Sequence, residues 1–248
     1  MPRPEVLGII PSRFGAKRFP GKPLALIAGV PMIARVVRQA LRARLLSRVL
    51  VATDDHRILR VAELAGAEGV LTPSALPSGS DRVAWVARKM KASLIVNIQG
   101  DEPVLDPSLI DAAVRVMLAD PSVLMSTVVV PLVERREWLD PNIVKAVLSA
   151  RDDAMYFSRA PIPFPREGGM PRAYKHLGLY GYRRSWLLRM IRLPQTPLEK
   201  TEKLEQLRAL ENGVAIRAAV AKGVTMSVDV PSDVGKVERY LKRKGGRP

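Results

Sequence analysis

The sequence contains no cysteine. A chain without thiols cannot form disulfides, thiolate metal sites or a cysteine nucleophile. Histidine is almost as scarce, with 2 residues in 248, so a metal site built from several histidines is also excluded. The absence of cysteine is typical of a reducing compartment, and we therefore expect a cytoplasmic protein.

Long apolar runs are also missing. The longest stretch, 123–133, contains Ser126, Thr127 and Pro131 and is well short of a membrane span. The run at 6–10 is too short for the apolar core of a signal peptide. We therefore expect no membrane insertion. No low-complexity segment or solenoid-type repeat interrupts the chain, which is long enough to build one large core.

Acidic residues are few relative to basic ones, 24 against 40, and the net charge is +16. This balance favours anionic partners such as nucleic acid, acidic lipid or acidic small molecules. Aromatic residues make up only 5% of the chain, which disfavours a stacking surface for single-stranded nucleic acid. The dense basic run is confined to the tail, 242–247. We expect acidic small molecules and no specific nucleic acid.

Short apolar runs alternate with segments of helical periodicity as far as residue 133. This rhythm predicts an α/β fold with right-handed crossovers and a mainly parallel, Rossmann-like sheet that has helices on both faces. After residue 133, apolar runs at 144–148, 155–158 and 176–182 follow one another without helices, which predicts a smaller, mostly antiparallel lobe. We expect 1–133 and 197–248 to form the core and 134–196 the lobe. The pattern also predicts a helix over 199–210, a short strand over 226–228 and a final helix capped by Ser232.

The first apolar run leads into a loop that is rich in glycine, proline and cations. Its sequence over 9–24 is IIPSRFGAKRFPGKPL, and its cations are Arg13, Lys17, Arg18 and Lys22. Ligands bind at the carboxyl ends of the strands in open α/β sheets, and these cations and glycine N–H groups would suit a polyphosphate. A solvated basic loop is the alternative. The loop is not a Walker A motif, because Ala16 stands where that motif has glycine.

Two aspartates follow apolar runs. Asp101 follows the run 94–99 after a single glycine, Gly100, and Asp229 directly follows the run 226–228. Carboxylate oxygens at a strand end suit Mg²⁺, whereas the alternative is that each residue caps a turn. Further candidates are the polar loop 77–82, which leads into a helix, and Arg159, whose guanidinium could bind a substrate carboxylate.

Taken in order, the motifs of the chain resemble the 3-deoxy-manno-octulosonate cytidylyltransferases, or CMP-Kdo synthetases. The motifs are IIPSRFGAKRFPGKPL, SGSDR, VNIQGDEP, YFSRAPIP, HLGLYGYR, PLEKTEKLEQLR and SVDVPSD. Members of that family transfer CMP from CTP to the acidic sugar 3-deoxy-D-manno-octulosonate (Kdo), a lipopolysaccharide precursor, and release pyrophosphate. The resemblance implies a nucleotidyltransferase-type fold, a requirement for Mg²⁺ and a homodimer whose lobe, 134–196, binds sugar and forms the dimer.

The resemblance also implies roles for individual residues. Lys22, Asp101 and Asp229 would be catalytic, and the two aspartates would hold the metal. The nucleotide would be bound by Arg13, Arg18, Lys22, Ser78, Gly79 and Arg82. The sugar would be bound by Gln99, Arg159, His176, Tyr180, Glu205 and Gln206.

Two other functions stay open from the sequence. The chain could act on a related acid sugar, such as 8-amino-Kdo or a nonulosonate, with the same catalytic residues. A non-catalytic, basic nucleic-acid-binding protein would account for the net charge, but it would leave Asp101 and Asp229 without a role.

Overall fold

The computed structural model describes residues 4–15 and 19–245. The chain forms two compact units: the first is Met1–Asp111 together with Val224–Pro248, and the second is Ala112–Gly223. The chain therefore leaves the first unit and later returns to it. The predicted lobe, 134–196, lies inside the second unit, and its role in sugar binding and dimerisation stays a prediction.

The strands, in chain order, are β1 (Val6–Ser12), β2 (Leu26–Ile27), β3 (Val30–Pro31), β4 (Arg48–Thr53), β5 (Glu68–Leu71), β6 (Leu94–Asn97), β7 (Met125–Leu132), β8 (Lys145–Leu148), β9 (Ala154–Ser158), β10 (Ala173–Arg183) and β11 (Ile216–Val220).

The helices are α1 (Met32–Ala40), α2 (His56–Leu64), α3 (Gly79–Ala87), α4 (Pro107–Ala119), α5 (Arg135–Leu139), α6 (Arg184–Met190), α7 (Pro197–Glu202), α8 (Leu207–Glu211) and α9 (Pro231–Arg243). A single 3₁₀ turn covers Lys22–Leu24.

The first unit contains a parallel sheet, beside the short antiparallel pair of β2 and β3. β1 pairs with β4 on one side and with β6 on the other, and β4 pairs with β5. Residues 6–10 are all buried, as expected for a central strand covered on both faces. Helices α1, α2 and α3 pack against these strands. The predicted α/β fold with a mainly parallel sheet is confirmed.

The register of these strands aligns the ends that carry the predicted site. Ser12 lies opposite Thr53, and Ile9 lies opposite Asn97. Because the strands run in the same direction, the segments that follow β1, β4 and β6 leave from one edge of the sheet. The basic loop, residues 54–55 and residues 98–101 therefore begin close together.

The second unit is mostly antiparallel, as predicted. β10 pairs antiparallel with β7 and β8, and β8 pairs antiparallel with β9, whereas β11 pairs parallel with β7. The register between β10 and β7 shifts between Leu177 and Tyr180. This irregularity turns backbone carbonyls of β10 towards a side chain of β7, as described below.

Three local predictions were wrong. The helix expected over 199–210 is interrupted, because Lys203 has a left-handed backbone with φ 56° and ends α7. Residues 226–228 do not form a strand, since they lie in an irregular segment before α9. The residue that caps α9 is Val230 rather than Ser232.

Within residues 4–15 and 19–245, none of the helices has the length and apolar character needed to cross a membrane.

Candidate functional site

A cleft of about 510 Å³ opens at the carboxyl edge of the parallel sheet in the first unit. It is lined by the end of β1 and the loop that follows, the start of α3, the residues after β6, and Asp229. The predicted site residues that line it are Arg13, Lys22, Ser78, Gly79, Arg82, Gln99, Asp101 and Asp229. Arg18 and Lys17 lie outside the described residues. The structure thus brings these residues together, while their roles stay predictions.

Lys22 joins two segments that are far apart in sequence. Its Nζ donates to Asp101 Oδ2 at 2.7 Å and to the backbone oxygen of Val228 at 2.9 Å. The backbone N–H of Val228 also donates to the oxygen of Asp101 at 2.9 Å. These bonds hold the segment that carries Asp229 beside the segment that carries Asp101.

The position of Lys22 depends on the glycine before it. Gly21 has φ 70°, a left-handed conformation that glycine adopts without strain, and the 3₁₀ turn begins directly after it. The N–H of Gly21 donates to the oxygen of Phe14 at 3.0 Å, which closes the basic loop on itself. Among the described residues of the loop, Phe14 and Gly21 are therefore held together by a backbone hydrogen bond.

The sequence predicts that either Asp54 or Asp55 caps the helix that follows β4, and it indicates no role in the cleft for Asp54. Its carboxylate accepts from the N–H of Phe14 at 3.2 Å and from Arg82 Nη2, also at 3.2 Å. The Arg82 side chain is 3% exposed, and its Nη1 donates to Thr72 Oγ1. Asp54 thereby connects the basic loop to α3. Its place directly after β4 was the available signal.

The neighbouring residue Asp55 caps α2, which was one of the two predicted alternatives. Its Oδ1 accepts from the N–H of Arg57 at 2.8 Å, at the start of α2. Arg57 pairs with Asp55 and lies over the ring of Phe14 at 4.0 Å. The pKa of Asp55 is lowered to about 2, chiefly by the hydrogen bond from Arg57.

The polar loop before α3 caps that helix and packs closely against β1. Ser78 Oγ accepts from the N–H of Asp81 at 3.1 Å. A Cβ added to Gly79 would meet Pro11 Cγ at 3.4 Å, and one added to Gly100 would meet the backbone oxygen of Pro11 at 2.8 Å. The cleft is thus built where three backbone segments approach one another.

The cleft carries a donor set that fits a magnesium ion. Asp101 and Asp229 both line it, and carboxylate oxygens are the ligands that hard cations prefer. In the described part of the chain, no group of three or more histidine, aspartate or glutamate side chains could hold a metal. Mg²⁺ commonly binds one or two carboxylates and completes its shell with waters and substrate phosphates, so two aspartates suffice.

The predicted sugar-binding residues of the second unit include a buried histidine. His176 Nε2 lies 2.9 Å from Thr127 Oγ1, and that hydroxyl donates to the oxygen of Leu179 at 3.0 Å. Because the hydroxyl hydrogen is used there, we assign the proton on Nε2 of His176 as the donor to Thr127. Burial lowers the pKa of His176 to about 3, so the ring is neutral.

Aromatic rings surround His176. Phe157 lies edge-on with its ring centroid at 4.7 Å, and Tyr180 lies at 5.4 Å. The register shift of β10 at Leu177 is what presents the oxygens of residues 177 and 179 to Thr127. The sequence analysis missed Thr127, because nothing in its local pattern indicates a partner 49 residues away.

Arg159 is held mainly by backbone oxygens. Its Nε donates to the oxygen of Glu202 at 3.0 Å and its Nη1 to the oxygen of Pro141 at 3.1 Å. Glu202 also accepts from Ser158 Oγ at 2.5 Å and from the N–H of Arg159 at 3.0 Å. Arg159 is partly exposed. The fork of its guanidinium is thus oriented before any ligand binds.

Glu205 and Gln206 lie in the turn between α7 and α8. Gln206 is 3% exposed. A buried ion pair joins α7 and α8. Arg208 Nη2 donates to Glu199 Oε1 at 2.5 Å, and Arg208 Nε donates to Glu199 Oε2 at 2.8 Å. This turn exists because the predicted continuous helix is broken at Lys203.

Comparison with known proteins identifies the family. The cytidylyltransferase family model matches residues 7–216. The 3-deoxy-manno-octulosonate cytidylyltransferase of Solibacter usitatus is 48% identical, over 98% of this chain and 96% of that protein. That of Syntrophotalea carbinolica is 46% identical, over 96% of this chain and 99% of its relative.

The comparison with solved structures agrees with the comparison of sequences. A CMP:2-keto-3-deoxy-manno-octonic acid synthetase complexed with CTP matches with a TM-score of 0.92 and 37% identity, over 97% of this chain and 99% of that one. A cytidylyltransferase from Leptospira borgpetersenii shares the fold, with a TM-score of 0.67 and 13% identity. The match covers 97% of this chain and 88% of that one. The resemblance seen in the motifs is confirmed, and the chain belongs to the 3-deoxy-manno-octulosonate cytidylyltransferase family of nucleotidyltransferases.

Proposed function

We propose that this chain transfers CMP from CTP to Kdo, giving CMP-Kdo and pyrophosphate, with Mg²⁺ as its cofactor. The observation that carries the proposal is the convergence of Lys22, Asp101 and Asp229 on one cleft in a chain of this family. We further propose that the enzyme is cytoplasmic and acts as a homodimer, in keeping with the expectations from the sequence.

The first unit binds the nucleotide. Arg13 and Lys22, with Arg18 outside the described residues, neutralise the triphosphate, while Ser78, Gly79 and Arg82 lie against the nucleoside. Arg82 can do this with little loss of side-chain entropy, because Asp54 and Thr72 already hold it. Mg²⁺, when held by Asp101 and Asp229, would supply positive charge next to the α-phosphate.

The second unit binds the sugar. Arg159 donates its guanidinium fork to the Kdo carboxylate. His176, neutral at physiological pH, can act as a hydrogen-bonding group for sugar hydroxyls but not as a cation. Tyr180, Glu205 and Gln206 are the other sugar contacts that we propose in this unit.

The reaction is then one of positioning and charge neutralisation. The anomeric hydroxyl of Kdo loses its proton to water, and its oxygen forms a bond to the α-phosphorus as the bond from that phosphorus to the pyrophosphate oxygen breaks. Lys22 would offset negative charge on the α-phosphate oxygens. Its ammonium lies beside Asp101, one of the two proposed metal ligands, which supports this role.

The test is pyrophosphate release with CTP and a panel of acid sugars, measured with and without Mg²⁺. We expect release with Kdo and Mg²⁺ and little with EDTA present. Faster release with 8-amino-Kdo or a nonulosonate would identify the chain as a cytidylyltransferase for that sugar. No release with any acid sugar would overturn the proposal.

A further inference from the structure

We propose that Lys145 is a positioning residue for the sugar site, because its buried ammonium group fixes the backbone that orients Arg159. The inference rests on the proposed function, in which Arg159 binds the carboxylate of the acid sugar. Nothing in the sequence motifs assigns a role to Lys145.

The ammonium group of Lys145 has an unusual set of acceptors. The residue is 0% exposed. Its Nζ donates to the backbone oxygens of Asp140 at 2.8 Å, Ile143 at 2.6 Å and Arg159 at 2.6 Å. An ammonium group has three N–H donors, so these three oxygens use all of them. The cation is thus satisfied by the main chain, as a bound monovalent ion would be.

The three oxygens come from two segments that flank a pair of strands. Asp140 and Ile143 lie in the turn before β8, whereas Arg159 directly follows β9, and β8 pairs with β9 so that Lys145 lies opposite Ser158. The ammonium of Lys145 adds a further contact between the turn and Arg159. Without it, the oxygens of Ile143 and Arg159 would lose this donor, whereas the oxygen of Asp140 would keep the N–H of Ile143 at 3.1 Å. Carbonyl oxygens that converge without a donor repel one another, so we expect the turn to shift away from Arg159.

The same turn also holds the guanidinium of Arg159. The oxygen of Pro141, between the two residues that Lys145 binds, accepts from Arg159 Nη1 at 3.1 Å. On its other side, Arg159 Nε donates to the oxygen of Glu202 at 3.0 Å. A shift of the 140–143 turn therefore moves one of the two oxygens that orient the guanidinium fork. Because a carboxylate needs that fork in a defined direction, Lys145 controls sugar binding without touching sugar.

The first variant is Lys145→Met, which keeps the length of the side chain and removes the ammonium. We expect the KM for Kdo to rise about tenfold or more, while the KM for CTP changes less than about twofold. Lys175→Met is the matched control, since Lys175 lies opposite Lys145 on the neighbouring strand. It should leave both KM values unchanged. Combining Lys145→Met with Arg159→Ala should add little to the effect of Arg159→Ala alone.

A second experiment restores the charge. The chain has no cysteine, so Lys145→Cys introduces a single thiol. Aminoethylation of that thiol in the unfolded state, followed by refolding, rebuilds a lysine-like ammonium, whereas alkylation with a propyl group adds similar bulk without charge. We expect the aminoethylated protein to regain the wild-type KM for Kdo and the propylated protein not to. This comparison remains available if Lys145→Met does not fold.

Equal changes in both KM values, or full activity of the propylated protein, would overturn the inference and assign Lys145 to general stability. Pyrophosphate release by the wild-type protein with the panel of acid sugars tests the proposed function separately. If it releases pyrophosphate with a different acid sugar, the function is revised and the same variants are compared with that sugar. If it accepts no acid sugar, both proposals fail.

Discussion

Lys22 and Asp101 form an ion pair in the cleft, and both are proposed to be catalytic. The pair is partly shielded from solvent, with side chains 15% and 28% exposed, and it also fixes the oxygen of Val228. We expect the charge of Asp101 to contribute both to the fold and to the proposed reaction. Substitutions that keep the shape but remove the charge can separate the two effects.

Asp101→Asn should lower kcat about 100-fold or more, because the amide neither attracts Lys22 nor binds a divalent cation as a carboxylate does. The melting temperature should change by only a few degrees, measured by differential scanning fluorimetry. Asp106→Asn is the matched control, since an asparagine there can still accept from the N–H of Ser108. Normal turnover of Asp101→Asn would remove this residue from the mechanism.

His176 should make the protein less stable in acid. Burial holds its pKa at about 3 in the folded state, against a usual value of 6.5. Below pH 6.5 the unfolded chain therefore binds a proton that the folded chain does not. The free energy of unfolding should fall by about 1.4 kcal/mol per pH unit from this residue as pH drops from 6.5 towards 3.

His176→Gln should flatten that dependence, because glutamine can donate to Thr127 but does not titrate. Urea unfolding at pH 7.5, 6 and 5 would measure the difference between the two proteins. Parallel curves would show that the ring is already protonated or exposed in the folded state.

The sequence indicated site residues best where the signal lay in the few residues on either side of them. Asp101 stands out because it follows a buried apolar run, after Gly100, and lies in a turn. Asp54 has a similar signal, since it directly follows β4. Thr127 and Lys145 have no such signal, because their partners come from distant segments or are backbone oxygens. Such contacts arise only when the fold brings those segments together.

At the scale of elements, the site depends on how closely β1 and the turn after β6 approach each other. Gly100 allows this approach, because a Cβ there would lie 2.8 Å from the backbone oxygen of Pro11. That oxygen belongs to β1, which pairs with β4 and with β6, so moving it would disturb the hydrogen bonds of the sheet. The glycine is needed for space rather than for an unusual backbone angle.

Gly100→Ala should lower the free energy of unfolding by about 1–3 kcal/mol and should reduce activity, because Asp101 is the next residue. Gly235→Ala in α9 is the control. Its Cβ would lie 3.4 Å from the mobile end of Arg239, so alanine should stabilise the helix by about 0.5–1 kcal/mol. Equal stability of both variants in urea titrations would contradict this account of the turn.

Elements with a clear periodicity were predicted from the sequence. β1, β4 and β6 are short apolar runs between helical segments, and that alternation predicts a parallel sheet. The helix over 199–210 failed because its leucine spacing continues through Lys203, where the backbone reverses. β2 and β3 have two residues each, too few to show an alternating pattern.

At the scale of the whole molecule, the net charge of +16 should influence how fast and how tightly anionic substrates bind. We expect the KM for CTP to rise several-fold between about 20 mM and 200 mM salt, with a smaller change in kcat, because salt screens long-range attraction. Sucrose at matched osmolarity is the uncharged control. A KM that does not respond to salt would show that only the local charges of the cleft matter.

The first unit is assembled from both ends of the chain, Met1–Asp111 and Val224–Pro248. Asp229, on the later segment, lines the cleft that begins at β1. On the ribosome, the amino-terminal strands emerge long before this aspartate is synthesised. The nascent protein therefore lacks one of the two proposed metal ligands until the segment that begins at Val224 has been synthesised, and fragments released by a stop codon before Asp229 would never carry that ligand.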